Sequence, residues 1–333
     1  MLTWLYGTIA ERRRRWYEKN PNIRRCLSRP VISIGSLTVG GSGKTPIAAH
    51  VVSVLISMGE HPALLSRGYL RSNPVDGVVV VRDSSGIRSD LAHSGDEPLM
   101  MARALRGASV LVSEDRYLAG LLAETKLGTT VHVLDDGFQH FSLERTLDLV
   151  VLGEGDTEDS RTLPSGRLRE SLTALRRTDA LIIEDSDPMA ARKLADSLDV
   201  ETSFSFSREL QSPLDAETQL NTSFESSTRV LAVAGIAKPH SFFKALVRSG
   251  YTVVDTLAFN DHHPFSRSDL VAIKRRLRAC GADYVVTTEK DLVRFLPYAP
   301  FDMPLAWVPL SVTVEPSEDF RLWLEGRLSQ ARE

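Results

Sequence analysis

The stretch Val31-Ile-Ser-Ile-Gly-Ser-Leu-Thr-Val-Gly-Gly-Ser-Gly-Lys-Thr-Pro46 constrains the fold more than any other part of this 333-residue chain. Val31 to Ile34 is a short β-branched run that reads as a buried strand. A glycine-rich turn follows through Gly40, Gly41 and Gly43, and from Lys44 the apolar positions Ile47, Val51 and Leu55 recur with helical period. Strand, glycine turn, Gly-Lys-Thr and helix in that order make a phosphate cradle. Backbone N–H groups and the helix N-terminus face the anion, the lysine ammonium neutralises charge, and the threonine hydroxyl can hold Mg²⁺. Thr38, Val39, Gly40, Gly41, Ser42, Gly43, Lys44 and Thr45 are therefore the residues expected on a nucleotide's phosphates. One position departs from the usual pattern: Thr38 stands where a glycine is expected, five residues before Gly43.

After the loop, apolar strand-like runs alternate with segments of helical period. The strands are expected at Ala63–Leu65, Val78–Val81, Val110–Val112, Val131–Leu134, Leu149–Leu152 and Leu181–Ile183. This alternation predicts an α/β fold, a P-loop NTPase-like, mainly parallel sheet flanked by helices, over residues 29–200. Residues 201–228 turn polar after an alternating Thr202-Ser-Phe-Ser-Phe-Ser run and read as a β-ribbon linker. A second, smaller α/β lobe is expected over residues 229–333, ending in a helix near Arg321–Leu328. Ligands of such sheets sit outside the carboxyl ends of the strands, so motifs at strand ends matter most.

Net charge is only −3, but residues 1–30 carry eight Arg or Lys against Glu11 and Glu18. That asymmetry argues against general nucleic-acid binding and singles out the N-terminus. Residues 1–28 are expected to form a helical segment in which Leu2, Leu5, Tyr6 and Ile9 share one face, with Trp4, Trp16, Tyr17 and Arg12 to Arg15 nearby. Such a helix suits an anionic membrane surface; a docked terminal helix with a solvated charge run is the other reading. The two cysteines, Cys26 and Cys280, lack metal spacing and point to a reduced, cytosolic protein.

Several strand ends carry chemistry. Val131-His-Val-Leu-Asp135-Asp136 is an apolar strand ending in two acids, one able to hold Mg²⁺ while its neighbour tunes the metal or the attacking group. A helix cap or solvated turn is the alternative. Gln139 and His140 follow at the same sheet edge. Arg67, in Ser66-Arg-Gly-Tyr69, suits either a bidentate phosphate contact or a surface ion pair. Asp96 reads first as a helix N-cap and second as a general base for an incoming hydroxyl. In Asn260-Asp-His-His-Pro264 one histidine could orient or protonate a carboxylate, against a capped loop or core histidine. The irregular excursion after Leu152 carries Arg169 and Glu170 and has the character of a substrate loop. Thr287-Thr-Glu-Lys-Asp291 is either a substrate contact or the cap of the next helix.

Taken together, these motifs resemble the tetraacyldisaccharide 4′-kinases, the lipid A kinases of Gram-negative bacteria. The resemblance rests on Thr38-Val-Gly-Gly-Ser-Gly-Lys-Thr-Pro46, Ser66-Arg-Gly-Tyr69, Gly95-Asp-Glu-Pro98, Asp135-Asp-Gly-Phe-Gln-His140, Arg169-Glu170, Asp261-His262 and Thr288-Glu-Lys-Asp291, in family order to about residue 295. Thr38 is how that family writes its loop. The resemblance implies ATP- and Mg²⁺-dependent phosphorylation of an acylated glucosamine disaccharide 1-phosphate at its 4′-hydroxyl. It also implies a peripheral enzyme on the cytoplasmic face of the inner membrane and a cleft between the lobes. It assigns Asp96 as base with His262 as its partner. Lys44 and Thr45 go to the phosphates and Mg²⁺, and Asp135 and Asp136 lie near the metal. Arg67, Arg169 and Glu170 would line the substrate or nucleotide side. Two positions depart from the family pattern: Ser171 where proline often follows Arg-Glu, and Gly235-Ile-Ala-Lys-Pro239, which puts a substrate contact from that loop in doubt. Two other classes remain. A nucleotide-switch protein would need a guanine-reading Asn-Lys-x-Asp, absent here. A soluble sugar or cofactor kinase would leave the basic, aromatic N-terminus without a purpose.

Overall fold

The computed structural model describes residues 2–222, 224–225 and 227–333, without the side chains of Leu2, Trp4 and Leu5. By internal contacts the chain forms two units, Met1–Ser207 with Val312–Glu333, and Arg208–Ser311.

In chain order the first unit holds α1 (Leu2–Lys19), β1 (Val31–Gly35), α2 (Lys44–Ser57), β2 (Pro62–Ser66), β3 (Val79–Asp83), β4 (Gly86–Ile87), α3 (Leu91–Ser94) and α4 (Asp96–Ala104). It continues with β5 (Ser109–Val112), α5 (Arg116–Leu127), β6 (Val131–Asp135), β7 (Leu147–Leu152), β8 (Ala180–Glu184), α6 (Pro188–Ser197) and β9 (Ser203–Leu210). The second unit contributes β10 (Leu214–Asp215), β11 (Arg229–Ala234), α7 (Pro239–Arg248), β12 (Thr252–Ala258), α8 (Arg267–Cys280), β13 (Tyr284–Thr288), α9 (Glu289–Phe295) and β14 (Leu305–Val308). β15 (Leu310–Glu315) and α10 (Ser317–Gln330) then lead back into the first unit.

The strand order of the large sheet is β15-β9-β8-β7-β1-β6-β2-β5-β3-β4. Pairing is parallel from β9 through to β5 and antiparallel at the β3–β4 edge. β1 is therefore central, with β6 and β7 as neighbours, and the register sets Ile34 opposite Asp135. That pairing brings the start of the phosphate loop beside the two acids. Every residue of β1 and β6 is buried, as continuous apolar strands covered on both faces should be. The loop's helix is anchored just as firmly: Ile47, Ala48, Val51, Val52 and Leu55 of α2 are fully buried. Each large side chain among them contributes about 1.5–3 kcal/mol by leaving water. The second unit's sheet runs β10-β14-β13-β11-β12, parallel except for β10.

The structure differs from the sequence reading in three places. The Thr202–Ser207 run is not an exposed ribbon: Phe204 and Phe206 of β9 are buried. Phe204 packs edge-on against Phe320 at 5.0 Å and beside Trp323 at 5.7 Å. Because Phe320, Leu324 and Leu328 form the buried face of α10, residues 312–333 belong with the first unit, whereas the sequence placed them in the smaller lobe. β14 and β15 were not anticipated, their short apolar runs being interrupted by Pro309.

Candidate active site

In the phosphate loop only Gly40, Gly41 and Gly43 have positive φ, at 73°, 71° and 90°. The left-handed turns therefore fall where glycine already stands. Thr38 faces inward, its hydroxyl donating to Asp156 Oδ2 at 2.9 Å, and its backbone bridges Leu168. The neighbouring Val39 N–H donates to the Arg167 carbonyl at 3.0 Å, and Arg169 N–H to the Leu37 carbonyl at 2.6 Å. Arg167 also donates to the Gly40 carbonyl at 3.0 Å. The first half of the loop is thus zipped to the 162–169 segment, and a glycine at position 38 is unnecessary. Val39 is exposed, while Ser42 is buried with its Oγ lacking a hydrogen-bond partner.

Lys44, first residue of α2, donates from Nζ to Ser36 Oγ at 2.9 Å and lies 3.5 Å from Asp136 Oδ1. Asp136 follows β6 with φ 54°, a left-handed conformation that costs a non-glycine residue about 1 kcal/mol or more. The turn is locked by Gly137 N–H donating to Ile34 O at 2.9 Å. It is also locked by Gly35, where an added Cβ would lie 2.3 Å from the Phe138 Cβ. Burial works to raise the Asp136 pKa, but the charges of Lys44 and Arg169 prevail and hold it below the ordinary value. Asp135 behaves oppositely. Burial, then the charges of Glu97 and Asp136, push it up to about 7 against the pull of Lys44 and Arg116. Its Oδ1 is buried without a hydrogen-bond partner. A carboxylate this uncomfortable, between two other acids, wants a cation. Among the described residues no three His, Cys, Asp or Glu side chains are arranged to hold a metal on their own. The two strand-end carboxylates could hold a divalent ion only together with ligands from elsewhere, such as phosphate oxygens.

Asp96 is not the N-cap of α4. Gly95 is, at φ 85°, and Asp96 is the first helical residue, 6% exposed, its Oδ1 accepting from Glu97 N–H at 2.9 Å. Arg67 is exposed beyond the end of β2 and close enough to Arg116 to depress that residue's pKa, after burial. Gln139 spans the site as a brace: Nε2 donates to the Ser36 carbonyl at 3.1 Å and Oε1 accepts from Arg169 at 3.3 Å. His140 is pushed down to about 4, first by burial and then by Arg116 and Arg145, so it is neutral near pH 7. Arg169 grips both Asp136 oxygens, at 2.8 and 2.9 Å.

Glu170 is a correction to the sequence reading. Expected on the substrate or nucleotide side, it is 3% exposed and turned inward, both oxygens held by Arg14 of α1 at 2.6 and 2.9 Å. The chain bends at Arg169 and Glu170, so that Arg169 meets Asp136 while Glu170 meets Arg14. The same pair shows α1 to be docked. Arg14 stacks on Phe138 and Phe141, at 4.4 and 4.6 Å from the ring centres, and Thr162 Oγ1 donates to the Thr3 carbonyl at 3.0 Å. Ile9 and Trp16 on the opposite face, and Tyr6 on its flank, are exposed. Leu2, Trp4 and Leu5, expected on or near the apolar face, have side chains outside the described residues.

In the second unit, His262 has φ 56° and its Nε2 lies 3.2 Å from Lys290 Nζ. His263 is half-buried, 3.2 Å from Asp269 and packed beside Phe259 and Phe265. The Thr288–Asp291 motif serves as a cap: Thr288 Oγ1 accepts from Asp291 N–H at 3.1 Å. Asp291, fully buried, accepts from Gly235 N–H at 3.1 Å and from Arg294 at 2.6 Å. Arg294 in turn donates to the Gly235 carbonyl at 2.9 Å and the His263 carbonyl at 3.2 Å. This network ties the loops on either side of His262 together.

The sequence reading missed Glu97 and Arg116, both near enough to Asp135 to move its pKa. Arg116 is 6% exposed and opens α5 after β5, so the strand-end rule applied to that strand would have found it. Glu97 sits one residue from Asp96, and nothing in the sequence separates it from an ordinary first-turn acid.

A central parallel strand, a glycine loop with Lys44 and a strand-end acid pair on the neighbouring strand define a P-loop phosphotransferase. The particular family follows from comparison. The family model LpxK, tetraacyldisaccharide-1-P 4′-kinase, matches residues 1–329, and the chain belongs to that family. A tetraacyldisaccharide 4′-kinase of Pelobacter propionicus is 38% identical over 88% of this chain and 81% of its own length. One from Geobacter sulfurreducens is 36% identical over 87% and 81%. The crystal structure of an LpxK from Aquifex aeolicus in complex with ATP is 30% identical, superposes with a TM-score of 0.79, and covers 98% of this chain and 97% of its own.

Proposed function

We propose that this chain transfers the γ-phosphoryl group of ATP to the 4′-hydroxyl of a tetraacylated glucosamine disaccharide 1-phosphate, giving the 4′-phosphorylated lipid A precursor. The observation that carries the reading is Lys44 set against Asp136, with Asp135 beside it, at the paired ends of β1 and β6 in a chain of this family. The phosphate loop binds the triphosphate through its backbone N–H groups. Lys44 exchanges Ser36 and Asp136 for phosphate oxygens. Asp135, Asp136 and Thr45 would hold Mg²⁺, a fit supported by the bare, buried Oδ1 of Asp135. The ion would neutralise charge on the β- and γ-oxygens.

Phosphoryl transfer asks the protein mainly for alignment and charge. The sugar hydroxyl oxygen forms a bond to the γ-phosphorus while the bond from that phosphorus to the ADP oxygen breaks. Asp96, at the first turn of α4, accepts the hydroxyl proton. His262 enters as the partner of Asp96 by its motif alone. Arg67 and His140 are assigned to substrate, with Arg169 and Gln139 bracing Asp136 and the loop. The enzyme works as a peripheral protein at the cytoplasmic face of the inner membrane. Support comes from the exposed Tyr6, Ile9 and Trp16 on a helix rich in arginine. No helix among the described residues is long and apolar enough to cross a bilayer.

Radiolabelled ATP offered with the lipid disaccharide or with soluble glucosamine phosphates tests the reading. Label is expected in the lipid alone; label in the soluble sugars at a comparable rate would refute the lipid assignment. Asp96→Ala should lower kcat by about a hundredfold or more, the usual scale for a lost general base. Turnover within a few-fold of wild type would remove Asp96 from that role.

A further inference from the structure

The N-terminal helix is joined to the phosphate site by a buried charge that anchoring alone does not require. Arg14 and Glu170 are each only 4% exposed in their side chains and meet through two hydrogen bonds. Taking both charges out of water is expensive, and an apolar contact would dock a helix equally well. What the pair adds is direction. Its guanidinium lies between the rings of Phe138 and Phe141, and Phe138 stands two residues beyond Asp136 with no space between it and Gly35. Glu170 directly follows Arg169, whose guanidinium holds both oxygens of Asp136 and whose N–H is bonded to Leu37 at the start of the phosphate loop. Two short paths thus run from Arg14 to Asp136, one through Glu170 and Arg169, the other through the Phe138 ring and the Asp136–Gly137 turn. Asp136 is in turn 3.5 Å from Lys44.

We propose that Arg14 is a positioning residue that sets the Asp136–Arg169 pair against Lys44, so that seating of the N-terminal helix governs turnover at the phosphate site. This rests on the reading of Asp135, Asp136 and Lys44 as the ATP site, and it gives that site a regulation. A helix whose outer face meets the membrane and whose inner face holds the catalytic turn makes the enzyme most active where its lipid acceptor resides. Tyr6, Ile9 and Trp16 are exposed on the same helix that turns Arg14 inward.

The test uses the full chain in mixed micelles of detergent and acceptor lipid, with saturating ATP and Mg²⁺. Arg14→Met should lower kcat at least tenfold, leave the acceptor KM within twofold, and float with phosphatidylglycerol-containing vesicles as wild type does. Glu170→Gln cuts only the first of the two paths and should lower kcat by no more than Arg14→Met does, and the double variant should lose no more than Arg14→Met alone, since that substitution already interrupts both paths. If Arg14→Met keeps kcat within twofold, or loses only acceptor KM and flotation, the proposal is overturned, as it is if the two losses multiply. Should Arg14→Met fail to fold, Arg14→Lys replaces it: lysine keeps the charge but neither the fork nor the stacking. A threefold or greater fall in kcat with the acceptor KM within twofold is expected of the folded variant at a temperature well below its melting point, and wild-type kcat would overturn the proposal. Asp136→Asn with undiminished turnover would instead refute the phosphate-site reading beneath it.

Discussion

Asp135→Asn should make the ligand-free protein more stable while abolishing its activity. In the folded chain Asp135 ionises only near 7, against an ordinary value of 3.8. A carboxyl with a raised pKa stabilises the fold only while protonated. Its contribution is complete below the unfolded value, shrinks as pH rises through the window from about 4 to 7, and is gone above the folded value. Three units at about 1.4 kcal/mol each give roughly 4 kcal/mol at pH 8, and water reaching a strand end reduces this to about 2–4 kcal/mol. Asparagine has nearly the same shape and carries no charge, so it escapes the penalty. At about 2–4 °C per kcal/mol, the variant should melt about 5–10 °C above wild type at pH 8. By pH 5 the gap should fall by more than half, because wild type is then largely protonated. Mg²⁺ with ATP should raise the melting point of wild type by more than that of the variant, which keeps the phosphate loop, Lys44, Thr45 and Asp136 but lacks one carboxylate. Calorimetry or fluorescence melts across this pH series provide the measurement. A variant that melts at or below wild type at pH 8, or a gap that ignores pH, would refute the argument that Asp135 is held ready for a cation.

Three further outcomes are expected. Arg294→Met leaves Asp291 buried without its cation, and should cost the second unit about 3–5 kcal/mol in a denaturant titration, the scale for breaking a buried pair. Gly35→Ala forces a Cβ to within 2.3 Å of Phe138, and should cost about 1–3 kcal/mol of stability together with ATP affinity; an unchanged KM for ATP would show that the turn after Asp136 is not held from there. Ile9→Asp with Trp16→Asp places two acids on the exposed face of α1, and flotation with anionic vesicles should fall at least tenfold; undiminished flotation would remove that face from the membrane reading.

What the sequence made legible was local. β1, the glycine turn and α2 follow one another within 27 residues, Val31 to Ser57, and their apolar periods differ sharply, so the cradle could be read directly. The Asp135–Asp136 pair was legible because it closes a strand. Its neighbours were not. Glu97 and Arg116 come from other βα connections, and sequence gives no strand order; only once β6 is known to lie between β1 and β2, with β5 beyond, do these residues converge on one edge. Glu170 misled for a related reason. Its motif is contiguous with Arg169, yet the chain bends there and sends the two side chains to different partners, and which of them meets α1 is a tertiary fact.

Thr38 ties these threads together. In a free-standing phosphate loop a glycine at this position relieves a left-handed or crowded backbone. Here the backbone at 38 bridges Leu168 like a short strand, and its hydroxyl is taken by Asp156, which also accepts from Gly153 N–H at 2.9 Å. A side chain at that position is therefore an asset: it fastens the loop to the segment that carries Arg167, Arg169 and Glu170. The same segment receives Arg14 from α1 and presents Arg169 to Asp136. A donor site built this way cannot be repositioned without moving the N-terminal helix. The apparent defect in the loop motif is thus where the phosphate loop, the 162–170 segment and the N-terminal helix are fastened to one another.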